Sequence, residues 1–119
     1  MPQKKEKTEL PVVCKVKMRS VRDTMDILSG KWKIQIIATL AFGSNYFMNL
    51  QRQIDGIGSK MLSKELQELE ANGLVKRIVY DTKPVTVQYE LTDYGNTIIP
   101  IINEIAAWGG AHRAKILQD

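Results

Sequence analysis

The sequence predicts a mainly α-helical domain with one small β-hairpin, an α+β fold, and three observations support this. Apolar residues recur at helical spacing along most of the 119 residues. Glycines follow several of these segments, at positions where they would end a helix. Two runs with strand-like composition, 74–80 and 86–91, are separated by a five-residue stretch that contains a proline. The length fits one domain with a modest core.

The first two helices are predicted on either side of Gly30. Ser20 followed by Asp23 is typical of a capping box, so the first helix is predicted over 20–30. A second helix, with most of its apolar residues on one side, is predicted over 31–43. We expect this second helix to be mostly buried.

Residues 1–18 are predicted to be a flexible basic arm, so that the folded domain spans 19–119. The first eleven residues are mostly polar and lack hydrophobic periodicity. The formal net charge of +4 arises in this region, because residues 1–19 hold six basic and two acidic side chains. Residues 20–119 hold 11 basic and 11 acidic side chains. A nucleic-acid function must therefore depend on where the charges of the domain lie.

A helix, a glycine turn and a second, amphipathic helix follow in the middle of the chain. Asn45 is predicted to cap a short helix over 46–54, and residues 55–58 are predicted to turn because glycine adopts backbone angles that other residues resist. The next helix, 59–72, has a narrow apolar stripe of Leu62, Leu66 and Leu69. Opposite that stripe lie Lys60, Lys64, Gln67 and Glu68, with Ser59 and Ser63 beside them. Gly73 is placed to end this helix.

The hairpin and a last helix complete the predicted domain. The two strands flank a tip at 81–85. Thr92 is the expected N-cap of the last helix, in which Pro100 either kinks the helix or is tolerated in its first turns. A helix-turn-helix followed by a β-hairpin wing is the simplest arrangement that buries these apolar faces, so a winged helix-turn-helix is predicted.

The helix over 59–72 has the features of a helix that reads DNA. Such a helix needs an apolar face toward its own domain, short donors at its N-terminal end, and basic side chains near the phosphates. The residues predicted to line the major groove are Ser59, Lys60, Ser63, Lys64 and Gln67. Those predicted to contact the flanking backbone or minor groove are Lys76, Arg77 and Lys83. Double-stranded DNA is therefore the predicted partner, and a solvated helix in a protein-protein interaction module is the alternative.

The last helix is also unusually apolar, which favours a homodimer. Its apolar residues are Ile98, Ile99, Ile101, Ile102, Ile105 and Trp108. One small domain does not need so many to cover itself, and an exposed patch of this kind usually finds a partner. Two copies would place their recognition helices roughly 34 Å apart on a pseudo-palindromic operator.

Four segments resemble the HxlR family of winged helix-turn-helix transcriptional regulators, which are relatives of the MarR group. They are "LSGKW" (28–32), "GIGSKMLSKELQELEANGLVKRIVY" (56–80), "KPVTVQYELTDYG" (83–95) and "IIPIINEIAAWG" (98–109). The resemblance implies a dimeric DNA-binding regulator of transcription. It also implies that the helix over 59–72 enters the major groove, that 75–91 is the wing, and that the first and last helices form the dimer interface.

Three positions depart from the family pattern. Tyr46 stands where the family usually has arginine, Gly58 where a serine is expected, and Thr86 where a basic residue is common. Together they reduce the positive face, which implies weaker binding or a different site preference.

Cys14 is the candidate redox sensor. Some members of the HxlR family sense oxidants through a cysteine at the start of the first helix, but that position is Arg19 here. Cys14 lies five residues earlier, and Lys15 and Lys17 would favour its thiolate. The alternative is a small buried or incidental residue. The resemblance also allows a small effector between the dimer helices, without identifying one.

An enzyme, a cofactor, a metal site and a membrane span are not predicted. His112 has no cysteine or histidine partner at ligand spacing, and the sequence has no phosphate-binding glycine loop. The carboxylate pairs Asp23/Asp26 and Glu65/Glu68 are expected to be solvated helix faces. The apolar runs are too short to cross a bilayer. A single cysteine and no recognisable leader fit a cytoplasmic protein.

Overall fold

The computed structural model describes residues 11–118, which form six helices and three strands. The helices are α1 (Val12–Ile27), α2 (Lys33–Leu40), α3 (Phe47–Gln53), α4 (Ser59–Ala71), α5 (Asp93–Asn96) and α6 (Ile99–Leu117). The strands are β1 (Asn45–Tyr46), β2 (Val75–Tyr80) and β3 (Thr86–Leu91). Within the described part of the chain they form one antiparallel sheet in the order β1-β3-β2. This element order confirms the predicted α+β arrangement of a helix-turn-helix followed by a wing.

The core lies where α2, α3 and α4 meet the base of the sheet. Its most deeply buried side chains are Ile36, Ile37, Leu50, Leu62, Leu66, Leu69 and Val75. The predicted leucine stripe of α4 is therefore confirmed, and each of these leucines contributes roughly 1.5–3 kcal/mol by burial. Because the stripe faces α2 and the sheet, the opposite face of α4 points away from the core.

The end of α4 leads directly into the wing. Gly73 has φ 76°, a left-handed conformation that favours glycine. The N–H of Leu74 donates to the Leu69 carbonyl at 3.0 Å, and that of Gly73 donates to Glu70 at 3.0 Å. This pair of bonds is a Schellman motif. The predicted stop at Gly73 is confirmed, and it orients β2 relative to α4.

The strand β1 was not predicted. Asn45 pairs with Tyr89, and Tyr46 pairs with Gln88, so that β1 adds a third strand along β3. The prediction that Asn45 caps the third helix is wrong. The N-cap position is held by Tyr46 in an extended conformation, with no side-chain capping bond. Two extended residues satisfy backbone groups at the edge of β3, but they are too few to show a period of two in the sequence.

Helix α1 begins at Val12, eight residues before the predicted start. Ser20 donates its hydroxyl hydrogen to the Val16 carbonyl at 3.2 Å, a contact of the helix interior, so the predicted capping box is wrong. Pro11 precedes the helix, where its missing N–H costs no helical hydrogen bond. Residues 12–18 of the predicted arm thus belong to α1, and its first ten residues lie outside the described range.

The predicted last helix is divided into α5 and α6. Thr92 caps α5 as expected, since the Gly95 N–H donates to the Thr92 hydroxyl oxygen at 2.9 Å. Pro100 lies in the first turn of α6, where a missing N–H is tolerated. Residues 97–98 form a turn between α5 and α6, directly before the first turn that contains this proline.

Candidate nucleic-acid interface

The turn between α3 and α4 positions α4 on the surface. Gly56 has φ 85°, and a side chain at this position would also face the Trp32 ring, 3.7 Å from its Cη2 atom. Ile54 and Ile57, on either side of the turn, are buried in the core. The turn is therefore attached to the core at both ends, and it directs the N-terminus of α4 outward.

The five groove residues predicted on α4 lie together. Ser59, Lys60, Lys64 and Gln67 are exposed and Ser63 is half-buried. None of these five side chains makes a hydrogen bond or ion pair with another residue of 11–118. They are available to a ligand that lies along the outer face of the helix.

The N-terminus of α4 lacks a side-chain cap. Gly58 holds the N-cap position, and the first intrahelical bond joins the Leu62 N–H to the Gly58 carbonyl at 2.9 Å. The N–H groups of Ser59, Lys60 and Met61 therefore have no acceptor inside the helix. An uncapped helix start with a positive dipole end suits a phosphate group.

One carboxylate of α4 is not where the sequence placed it. The expectation of a solvated face is wrong for Glu65, which is buried, whereas Glu68 stays partly exposed; both accept hydrogen bonds from the Lys33 ammonium. The Lys33 Nζ atom lies 2.8 Å from Glu65 Oε2 and 2.7 Å from Glu68 Oε2. The side chains of Lys33 and Glu65 are each 7% exposed, and that of Glu68 is 44% exposed. We call these three residues the Lys33 cluster.

The Lys33 cluster holds its charges by mutual pairing. Burial disfavours the charged form of Lys33, but hydrogen bonds and attraction to both carboxylates outweigh burial and raise its pKa. The hydrogen bond from Lys33 lowers the pKa of Glu68, and the charges of Lys33 and Lys64 act in the same direction. Lys33 and Glu68 are therefore both charged near neutral pH.

One sequence signal for this cluster was missed. Glu65 lies next to Leu69 and Leu62 on the helical wheel, at the border of the buried stripe rather than opposite it. A carboxylate at that border needs a cation, which the wheel does not identify. The cation, Lys33, lies on another helix and is 32 residues away from Glu65 along the chain.

The three basic residues of the wing lie in different places. Lys76 forms an ion pair with Glu90 across the hairpin at 2.8 Å, and this contact raises the pKa of Lys76. Arg77 points to the opposite face of the strand, because neighbouring side chains alternate. Lys83 lies in the tip between β2 and β3. Arg77 and Lys83 are exposed and make no ion pair within the described residues.

Two of the positions that depart from the family pattern lie in the sheet, Tyr46 in β1 and Thr86 in β3. Tyr46 is exposed on β1 beside Gln88. The Thr86 hydroxyl lies 3.2 Å from that of Thr82 at the wing tip. Neither side chain carries a charge, so the positive face depends on α4, Arg77 and Lys83.

Outside this region, α1 and α6 expose apolar stripes. On α1 the stripe is Cys14, Met18, Val21 and Met25, with spacings of four, three and four residues. On α6 it is Ile101, Ile105 and Trp108, which are 45%, 47% and 70% exposed. The ring of His112 stacks on Trp108, with centroids 4.9 Å apart. Such spacing is typical of helices that pack against other helices.

Residues 11–118 hold no group of three or more histidine, cysteine, aspartate or glutamate side chains arranged to bind a metal ion. No helix in the same range is long and apolar enough to cross a membrane.

Comparison with known proteins identifies the family. The model of the HxlR-like helix-turn-helix family matches residues 27–116. The HTH-type transcriptional regulator YtcD of Bacillus subtilis strain 168 is 39% identical over 100 residues, which cover 84% of this chain and 79% of YtcD. The regulator BH0655 of Halalkalibacterium halodurans is 44% identical over 101 residues, which cover 80% of this chain and 89% of BH0655.

Solved structures agree with the sequence comparisons. The redox regulator HypR in its reduced form superposes with a TM-score of 0.78 at 35% identity, covering 84% of this chain and 99% of HypR. The reduced transcriptional regulator YodB of B. subtilis gives 0.67 at 34% identity, covering 85% of this chain and 91% of YodB. YtcD, BH0655 and YodB are named as transcriptional regulators, which is not an enzyme class. The chain belongs to the HxlR-like helix-turn-helix family of transcriptional regulators.

Proposed function

We propose that this regulator acts in the cytoplasm as a homodimer, with α4 of each copy in a major groove of a pseudo-palindromic operator. The observation that carries the proposal is the structure of α4 itself. Its leucine stripe is buried, its polar face is exposed, and its N-terminus is uncapped. These three features suit a helix that reads a groove.

The groove residues have distinct roles. Lys60 and Lys64 neutralise phosphates, and Ser59 donates to a phosphate or base near the uncapped helix start. Gln67 faces outward two turns into the helix, where its amide pairs with an adenine edge. Ser63 is half-buried between these residues and contacts the base or phosphate that lies closest to the helix axis.

The wing contacts the flanking DNA. Arg77 and Lys83 supply charge to the backbone or minor groove beyond the site of α4. Lys76 contributes less than these two, because its ion pair with Glu90 must weaken before it can hold a phosphate. The wing therefore adds affinity more than base specificity.

The exposed apolar surface supports the homodimer. None of the residues of α1 is buried, although its stripe of Cys14, Met18, Val21 and Met25 is suited to helix packing. Phe42, at the end of α2, is 97% exposed and borders a cleft of about 370 Å³ between α2 and α6. A second copy that covers these surfaces with its own α1 and α6 would bury them.

Cys14 is the candidate for a redox signal to this dimer. It is half-buried on α1, within the apolar stripe, and Lys15 and Lys17 lie next to it in sequence. HypR, a structurally similar protein, is a redox regulator. Oxidation of a thiol at this position would add polar atoms to the proposed dimer interface and so alter DNA binding.

Fluorescence anisotropy of duplexes taken from the DNA flanking the gene tests the assignment of α4. The test variant is Lys60→Ala/Lys64→Ala, and the control variant is Arg113→Ala/Lys115→Ala, which makes the same charge change on α6. A dimer would lose four phosphate contacts, so the slope of log K against log salt concentration should fall by about 3.6, at about 0.9 per contact. The control should keep the wild-type slope.

Two results would contradict the proposal. If both variants change the slope equally, the effect is one of net charge and α4 is not the reader. If wild-type protein binds all duplexes weakly and the α4 variant binds them equally well, the charged N-terminal region supplies the contact. A protein-protein interaction module would then be the better-supported function.

A further inference from the structure

We propose that Lys33 is a positioning residue for DNA recognition: by holding the carboxylates of Glu65 and Glu68 toward α2, it prevents them from opposing the phosphates. The inference rests on the proposed role of α4 as the recognition helix. Lys33 is the first residue of α2 and belongs to none of the DNA-contacting elements described above.

The charge of α4 makes such a residue necessary. The helix holds two lysines, Lys60 and Lys64, against three glutamates at 65, 68 and 70, so its own net charge is −1. If the carboxylates turned toward the phosphate backbone, their repulsion would oppose the attraction of the two lysines. Lys33 brings the sum to zero and places its charge on the side where two of the carboxylates lie.

The geometry of the Lys33 cluster also sets the rotation of α4. Glu65 and Glu68 are three residues apart and are therefore neighbours on one side of the helix. One ammonium bonds to both, at 2.8 and 2.7 Å, and contacts two points along the helix at once. With these carboxylates held toward α2, Lys60 and Lys64 stay on the outer side of the helix.

Packing alone does not supply this constraint. Ile36 and Ile37 of α2 and the leucine stripe of α4 already join the two helices through apolar contacts. Apolar contacts tolerate small rotations, whereas a buried ion pair that loses one partner leaves an uncompensated charge that must reach water. Without Lys33, Glu65 is left in a site where its side chain is 7% exposed. The shift of α4 that hydrates Glu65 moves the lysine face away from the groove.

A double-mutant cycle on operator binding tests this inference. The four proteins are wild type, Lys33→Met, Glu65→Gln/Glu68→Gln, and the combined triple variant, each compared by anisotropy on the same operator duplex. Neutralising the glutamates should raise affinity about tenfold more in the Lys33→Met background than in wild type, as expected for residues in direct contact. Lys33→Arg keeps the charge and should stay within about threefold of wild type.

The cycle compares folded proteins only, and thermal unfolding of each variant establishes that condition. If Lys33→Met is unfolded at the assay temperature, the same cycle is run with Lys33→Gln. Equal effects of the glutamate changes on operator affinity in both backgrounds would overturn the inference. A Lys33 that only stabilises the fold couples to the glutamates in unfolding, but not in the operator affinity of folded variants. The Lys60→Ala/Lys64→Ala variant separates the two proposals: if it leaves operator binding unchanged, the role of α4 fails. If it weakens binding while the cycle is additive, only the role of Lys33 fails.

Discussion

Gly95 lies in α5 against the backbone of Leu74, and replacing it with alanine should destabilise the fold strongly. A Cβ atom added at Gly95 would lie 2.0 Å from the Leu74 carbonyl oxygen and 3.0 Å from its carbonyl carbon. Non-bonded carbon and oxygen atoms approach no closer than roughly 3.2 Å, so one segment must move by about 1 Å. The obstacle is backbone, which cannot rotate away as a flexible side chain can.

The contacts of Leu74 determine the size of the effect. Its carbonyl accepts a hydrogen bond from the Thr92 N–H at 3.1 Å, and its own N–H closes the end of α4 at 3.0 Å. Overpacking against a rigid neighbour costs about 3 kcal/mol, and a weakened hydrogen bond adds about 1 kcal/mol. Alanine recovers about 0.5–1 kcal/mol of backbone entropy. A net loss of about 3 kcal/mol should lower Tm by roughly 15 °C.

Unfolding monitored by circular dichroism, with heat and with urea at one protein concentration, measures this loss. Gly110→Ala is the matched control, because Gly110 is an exposed residue inside α6 with no atom within 4 Å of the added Cβ. Alanine should stabilise α6 there by about 0.5–1 kcal/mol. Equal melting temperatures for Gly95→Ala and wild type would refute the close approach of Leu74 to Gly95.

Three further predictions concern the Lys33 cluster, the dimer and the thiol. Lys33 lowers the pKa of Glu68, so the stability from this pair is present above the ordinary glutamate pKa of 4.5 and is lost as pH falls through the lower folded value. In urea unfolding below pH 4.5, Glu68→Gln should therefore lose less stability with falling pH than wild type. An equal loss in both proteins would contradict the pairing. If the proposed dimer uses α6, Ile105→Glu should be monomeric in sedimentation velocity, whereas Glu104→Gln on the same turn should stay dimeric; two dimeric variants would place the interface elsewhere. Hydrogen peroxide should change operator affinity of wild type but not of Cys14→Ser, since the chain has one cysteine; the same response in both would exclude Cys14 as the sensor.

The candidate DNA face shows how far sequence reasoning reaches. The groove residues of α4 could be predicted because their exposure follows from a leucine stripe within the same thirteen-residue helix. Lys76 could be placed on the hairpin, but its ion pair with Glu90 depends on strand register. The Lys33 cluster could not be predicted, because it depends on which residue of another helix packs beside Glu65.

The sequence by itself determined the elements whose signals are local. The stripe of α4, the stop at Gly73, the cap at Thr92 and the two hairpin strands each follow from residues within a few positions of one another, where helix period and capping chemistry act. Tertiary structure alone decided the contacts between distant segments. The pairing of β1 with β3, the ion pairs of Lys33 with α4, and the space denied to a side chain at Gly95 join residues about 20 to 45 positions apart. No periodic pattern in the sequence predicts such contacts, because they arise only when separate elements pack together.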